Sequence, residues 1–164
     1  MAVVNLTSAA LTSRNSGVLA NATSASASAK VVADQMTVTN GDSIASTYRL
    51  CRINSDAIVT GASVFCQAIT GAAADIGLYQ TVANGGAVVD ADFFAAAQSI
   101  ATASAGINIL GANTATYGPA NRAKRIWEVL GLTADPMREY DVVLTLTAAA
   151  TATGAAGVSL TFVE

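Results

Sequence analysis

The chain of 164 residues contains no histidine, and only 12% of its residues carry a charge. Most sites that transfer protons near neutral pH use histidine, or a carboxylate or lysine whose pKa has been shifted. With so few ionisable groups, the chain has few side chains that could act as a general acid or base. The sequence therefore favours a structural or binding protein over an enzyme, and it offers no catalytic, cofactor-binding or metal-binding residue.

Long apolar runs are also missing, although hydrophobic residues make up 52% of the chain. Ala and Val supply most of this fraction, and Thr, Ser and Asn interrupt them before the ~20 continuous apolar residues of a membrane helix are reached. The first charged residue is Arg14, so the N-terminus has no basic region of the kind that begins an export signal. We therefore expect no membrane partner and no export.

Basic residues are few, and the net charge is −3. Their one cluster consists of Arg122, Lys124 and Arg125, which is short and contains no interleaved aromatic residue. Such a cluster is more typical of a solvated face or a local patch against a partner than of a phosphate-binding surface. The sequence therefore predicts no nucleic-acid partner.

Residues 1–29 are poor in bulky side chains and cannot bury enough surface alone to offset the entropy of ordering. Two interpretations of this arm stay open: a disordered tail, or an extended strap that becomes ordered against a neighbouring subunit. In the second, the apolar side chains of the arm dock into a groove or add to a sheet edge on that subunit. These candidate partner-binding residues are Val3, Val4, Leu6, Leu11, Val18 and Leu19.

From Lys30 onward the pattern is that of short β-strands joined by turns. KVVADQMTVT alternates apolar and polar residues, and the turn residues 54–56 separate two strand-like runs that we expect to form a hairpin or part of a meander. In the second of these runs, Val59, Phe65 and Ile69 are predicted to share a face. Gly77 predicts a bulge or a close backbone approach, and EYDVVLTLT with VSLTFV predicts a closing hairpin.

Two short helices are predicted in the connections between strands. In ADFFAAAQSIA, Phe93, Ala97 and Ile100 recur at helical spacing behind Asp90, a possible N-cap. Asp90 and Asp92 could also be viewed as an acidic pair for calcium or acid–base chemistry, but no DxDxDG loop surrounds them. We interpret Asp90 as a cap.

The second predicted helix covers residues 121–131. Its residues Ala123, Ile126, Trp127 and Leu130 share a face, and Gly131 stands where a C-terminal cap belongs. The alternatives for Trp127 are a core anchor and a ligand-stacking ring, and its apolar neighbours favour burial. We therefore predict that Trp127 is buried in the core, with Phe65, Ile69, Leu144 and Leu146 contributing to or bordering it.

Seven or eight short strands with two short helices between them indicate an all-β domain over residues 30–164, preceded by the arm. The predicted fold is an antiparallel β-sandwich of jelly-roll type. The pattern alone does not separate a jelly roll from an immunoglobulin-like topology.

The order of several segments resembles the decoration, or cement, proteins of tailed bacteriophage capsids. These segments are ADIGLYQT, NGGAVVDADFFA, KRIWEVLGLTADP, YDVVLTLT and GVSLTFV, within residues 30–164. The resemblance implies a non-enzymatic virion protein, made in the bacterial cytoplasm, that binds the capsid exterior and bridges neighbouring capsomers. It implies two partners, the major capsid protein and further copies of the chain in a dimer or trimer, and no cofactor.

A different function class is a carbohydrate- or receptor-recognition sandwich of a phage fibre. Such a module would use exposed aromatic residues, which make up only 5% of this chain. An enzyme is the remaining class, and a deep pocket with converging carboxylates would favour it.

Cys51 and Cys66 are predicted to be reduced and unbridged. A hairpin turning at residues 54–57 would place Cys51 opposite Thr60 and Cys66 opposite Ala45, too far apart for a disulfide. Two thiols without an export signal are typically small buried hydrophobes, and without histidine they leave a metal shell incomplete. The intact mass of the non-reduced protein should equal that of the reduced protein, and a difference of two hydrogens would contradict this prediction.

Overall fold

The structure, a computed structural model, describes residues 3–7, Thr12 and 29–164. Its strands are β1 (Asn5–Thr7), β2 (Lys30–Val38), β3 (Thr47–Asn54), β4 (Ile58–Cys66), β5 (Ala73–Gln80), β6 (Val88–Ser99), β7 (Ser104–Asn108), β8 (Glu139–Ala148) and β9 (Gly154–Val163). Two single-turn helices, α1 (Thr114–Tyr117) and α2 (Ile126–Val129), and two 3₁₀ turns at Val82–Asn84 and Pro119–Asn121 lie in the connections.

The strands form two sheets. Sheet A has the order β1-β3-β8-β5-β6, and sheet B has the order β2-β9-β4-β7. All neighbouring strands are antiparallel except β1 and β3, which are parallel. The predicted β-sandwich is confirmed. From β2 onward the chain changes sheet at every connection except the one between β5 and β6, and from this order we infer the jelly-roll connectivity of eight strands.

Both predicted hairpins are wrong. β3 lies in sheet A and β4 in sheet B, so the turn at residues 54–56 carries the chain across the sandwich. The same is true of β8 and β9: β8 pairs with β3 and β5, and β9 pairs with β2 and β4. Alternation along a strand reports that one face is buried, and it does not report which sheet the strand joins.

The helix predicted in ADFFAAAQSIA is also wrong, because residues 91–99 of this segment lie in β6. Its register against β5 jumps from the pair Leu78 and Asp90 to the pair Ile76 and Ala95. The extra residues of β6 form a bulge that buries Phe93 and Phe94, whose ring centroids lie 4.9 Å apart. The apparent helical spacing therefore comes from an irregular strand.

The second predicted helix is reduced to the single turn α2. Its start is capped by Glu128, whose carboxylate accepts the Arg125 N–H at 2.8 Å. Gly131, at φ +71°, ends it as predicted, with the Leu132 N–H donating to the Trp127 carbonyl at 3.1 Å. The core anchor on this turn is Ile126, which is fully buried, whereas Trp127 is half-buried, so the predicted full burial of Trp127 is wrong.

The core lies between the sheets and includes Ile69, Leu144 and Leu146, as predicted. A register shift between Val59 and Gly61 changes the phase of β4, and Phe65 therefore lies half-buried on the outer face of sheet B. The prediction that Phe65 shares a face with Val59 is wrong for this reason.

Cys51 and Cys66 are buried and unbridged, which confirms the prediction, although they lie in different sheets and not in one hairpin. Burial raises the pKa of both thiols, because a thiolate loses its hydration in the apolar interior.

The close backbone approach predicted at Gly77 is confirmed. A Cβ at this position would lie 2.2 Å from the carbonyl carbon and oxygen of Ala91 and from the oxygen of Asp90. No side chain fits there unless the backbone of β6 moves, so this glycine permits the bulge of β6 to lie against β5.

Replacing Gly77 with Ala should lower the free energy of unfolding by at least the ~1–3 kcal/mol typical of overpacking, because the clash is with backbone. Gly106→Ala is a matched control in β7, since a Cβ there meets nothing within 4 Å. Denaturant unfolding of both variants measures the difference. Equal midpoints for Gly77→Ala and Gly106→Ala would contradict the proposed packing.

Candidate functional site

The arm strand β1 pairs with the outer edge of β3 in the same chain. Asn5 lies opposite Thr47, and Thr7 lies opposite Arg49. The Thr47 N–H donates to the Val4 carbonyl at 2.8 Å, and the Thr47 hydroxyl donates to the Asn5 side chain at 2.6 Å. Backbone hydrogen bonds of this kind hold an added strand whatever its sequence.

A buried serine forms part of this edge. Ser46 has no exposed surface, and its hydroxyl accepts the Val4 N–H at 3.2 Å. Its backbone is bonded to Leu146 of β8, which fixes its position. The edge of sheet A therefore contains a preformed acceptor for an arm.

The apolar side chains around this edge remain largely exposed. Val3 is 56% exposed, Leu6 38% and Ile44 59%, while Val4 is half-buried. We call β1 with Val3, Val4 and residues 44–47 the arm surface. The candidate residues Val3, Val4 and Leu6 thus lie together here, and Leu11, Val18 and Leu19 lie outside the described residues.

The outer face of sheet B is a second broad surface. Cross-strand partners share a face, so the pairs Ala33 with Ser159, and Ser63 with both Ser159 and Asn108, trace it across all four strands. We call it the sheet-B face; its members are Val31, Ala33, Gln35, Thr37, Gly61, Ser63, Phe65, Gly106, Asn108, Ala155, Gly157, Ser159 and Thr161.

Small side chains give the sheet-B face a shallow relief. Two depressions of about 310 and 330 Å³ lie on it, and no charged side chain lines either one. Phe65 is its one large ring and lies over Gly157, where a Cβ would be 2.5 Å from the ring carbon Cζ. Such a surface suits contact with another extended surface more than capture of a small molecule.

A buried ion-pair cluster lies within sheet A. The Asp141 carboxylate has no exposed surface and accepts Arg49 Nη1 at 3.0 Å and Arg52 Nε at 2.8 Å. Arg49 also donates to the carbonyl oxygens of Gln80 and Gly86, at 2.9 and 2.7 Å. These contacts connect β3, β8, β5 and the turn after β5, which indicates a structural role.

The sequence pattern did not predict this cluster. One signal was available, because Asp141 lies in the strongly apolar strand EYDVVLTLT, where an acidic residue needs a partner if buried. The sequence did not indicate which cations would supply it, since Arg49 and Arg52 are some ninety residues away and pair with β8 only in the folded sheet.

The acidic pair Asp90 and Asp92 lies on β6. The Asp92 N–H donates to the Asp90 carboxylate at 3.3 Å. Burial, aided by a hydrogen bond between the two carboxyl side chains, raises the pKa of Asp90, and the bond from the Asp92 N–H opposes this shift. Across residues 3–7, Thr12 and 29–164, no group of three or more acidic or cysteine side chains is arranged to hold a metal. In the same part of the chain, no helix is long and apolar enough to cross a membrane.

The basic cluster lies in the connection between β7 and β8. Arg122, Lys124 and Arg125 are exposed, and Arg122 donates to the Leu110 carbonyl at 3.1 Å. Phosphate recognition would need several convergent donors, and Arg122 already has a partner within the chain.

Two solved structures contain chains of similar fold. A chain of the capsid asymmetric unit of cyanophage Pam1 matches with a TM-score of 0.54 and 17% identity, over 88% of this chain and 91% of that chain. A chain of the capsid of Ralstonia phage GP4 matches with a TM-score of 0.56 and 14% identity, over 90% of this chain and 92% of that chain. No protein-family profile and no curated protein matches the chain. At these identities the likeness is one of fold.

Replacing Asp141 with Asn should lower the free energy of unfolding by about 3 kcal/mol or more, because two partly buried guanidinium groups lose their counter-charge. Glu139→Gln is the control, since Glu139 is the more exposed partner of Arg52 at 3.4 Å and should contribute less than ~1 kcal/mol. Equilibrium unfolding in urea at neutral pH compares the two. A loss in Asp141→Asn no larger than in the control would exclude the structural role.

Proposed function

We propose that the protein is a non-enzymatic structural protein of a phage virion that binds the outer surface of the capsid and bridges neighbouring capsomers. The observation that carries this proposal is the two-sheet fold, similar over about nine-tenths of both chains to chains in two phage capsids. The segment order that resembles decoration proteins supports it independently, because that resemblance rests on the sequence and not on the fold.

The sheet-B face has the chemistry that this role needs. Ser, Thr, Ala and Gly lose little rotamer entropy when they are covered, so a partner can be bound closely at low cost. The face carries no charge among the residues that line its depressions, which avoids the desolvation penalty of an unpaired ion. Its proposed partner is the major capsid protein.

Copy number compensates for modest affinity. Each subunit offers two separate surfaces, the sheet-B face and the arm surface, and can therefore contact a capsomer and a second copy of the chain at once. Linked contacts of this kind increase overall affinity by factors of roughly 10² to 10⁴. The protein is thus proposed to act on the virion exterior as a homo-oligomer, after synthesis in the bacterial cytoplasm.

The direct test is binding of the full chain to phage heads that lack it. The expected result is saturable co-sedimentation at a fixed number of copies per capsomer and greater resistance of the heads to heat. Binding to host-surface glycans on an array, with no binding to heads, would instead establish the fibre-module alternative and reject the proposal.

Deletion of residues 1–29 should change the melting temperature of the remaining domain by no more than a few degrees while reducing self-association and head occupancy. The reason is that Val3 and Leu6 are only partly buried within the chain, and β1 is a three-residue strand at the sheet edge. Calorimetry and co-sedimentation measure the two effects separately.

A full-length control with Val3→Ser and Leu6→Ser separates the apolar contacts of the arm from its strand pairing. If the deleted chain saturates heads and self-associates like the full chain, the arm has no part in binding.

A further inference from the structure

The pairing of β1 with β3 uses contacts that do not depend on both strands belonging to one chain. They are the parallel strand pairing itself, the bond from the Thr47 N–H to the Val4 carbonyl, the bond to the buried Ser46 hydroxyl, and the side-chain bond between Asn5 and Thr47. The acceptor residues on β3 are held by β8 and would receive the arm of any copy in the same way. We propose that β1 is exchanged between copies, so that residues 3–7 of one chain pair with β3 of a neighbour.

The connection after β1 is much longer than pairing within one chain needs. β1 ends beside Arg49, and β2 begins beside Phe162, which lies opposite Val59 at the start of β4. The path along the rest of β3 and across to the other sheet is roughly 30 Å, from ~3.3 Å per strand residue and ~10 Å between sheets.

The chain has 22 residues, 8–29, for this path. Fully extended, they span up to about 75 Å. A compact domain of this size has a radius of gyration of about 14 Å. The connection is therefore long enough to reach the β3 edge of an adjacent copy.

The exposed apolar side chains of the arm surface favour contact with a neighbouring copy. Pairing within one chain leaves Val3, Leu6 and Ile44 substantially exposed on one edge. Exposed apolar groups beside an edge strand are a common feature of surfaces that associate. A second copy close enough to exchange its arm is also close enough to cover them.

Exchange costs little where copies are already held side by side. The contacts are the same within and between chains, so the balance depends on the effective concentration of the arm at the edge of β3. On a capsid, neighbouring copies are fixed at comparable concentration. The exchange of β1 rests on the proposed function, and it makes β1 a link between subunits.

Cysteine cross-linking tests the exchange, because the Asn5 and Thr47 side chains are in contact. Full-length Asn5→Cys, carrying a size tag, is mixed with untagged Thr47→Cys on phage heads and oxidised. The expected product is a disulfide-linked pair of one tagged and one untagged chain, several-fold more abundant than with Asn5→Cys and Thr60→Cys. Thr60 is an exposed residue of β4 in the other sheet and gives the background rate.

The double variant Asn5→Cys, Thr47→Cys tests whether the bridge forms within one chain. A bridge that forms only within single chains, or no bridge at all, together with no mixed product above the Thr60→Cys background, would overturn the exchange. Head binding of the same variants is measured in parallel. Saturable binding with bridges only within chains rejects the exchange and leaves the proposed function standing. Mixed product in concentrated solution, without binding to heads, supports the exchange and rejects the proposed function.

Discussion

Sheet A depends on the ion pairs that the buried Asp141 carboxylate makes with Arg49 and Arg52. Asp141 lies on β8, between β3 and β5, and its two arginine partners both come from β3. Arg49 then reaches the carbonyl oxygens at the end of β5 and in the following turn, and its guanidinium carbon lies 5.4 Å from the centre of the Tyr79 ring. A charge in this position is tolerated only if its partners are in place, so the cluster disfavours any other register of these strands.

Because β3 is held in place by β8, its free edge can pair with an arm strand. Thr47 begins β3, Ser46 directly precedes it, and both are paired with β8 independently of the arm. The arm strand therefore meets a rigid edge with hydrogen-bonding groups already aligned. This arrangement reduces the ordering cost to that of the arm alone, which is the part of the chain least able to order itself.

Much of the fold could be predicted from local pattern, and the errors have one physical origin. Strand existence, the stop at Gly131 and the close approach at Gly77 depend on neighbours along the chain, and these predictions are confirmed. The hairpins, the face of Phe65 and the β6 segment depend on pairing with distant strands and on bulges, which alternation alone does not encode. The Asp141 cluster and the Ser46 acceptor were missed for the same reason, since both join residues far apart in sequence.

The two surfaces differ in how they would transmit load between subunits. The sheet-B face is continuous with four paired strands, so a force applied there is shared across a hydrogen-bonded sheet. The arm surface is held by a few hydrogen bonds at one edge and is connected to the domain through 22 residues. In the proposed capsid role, this combination would let the subunit follow changes in capsomer spacing, because the broad face would keep its position while the arm released and paired again without unfolding the sandwich.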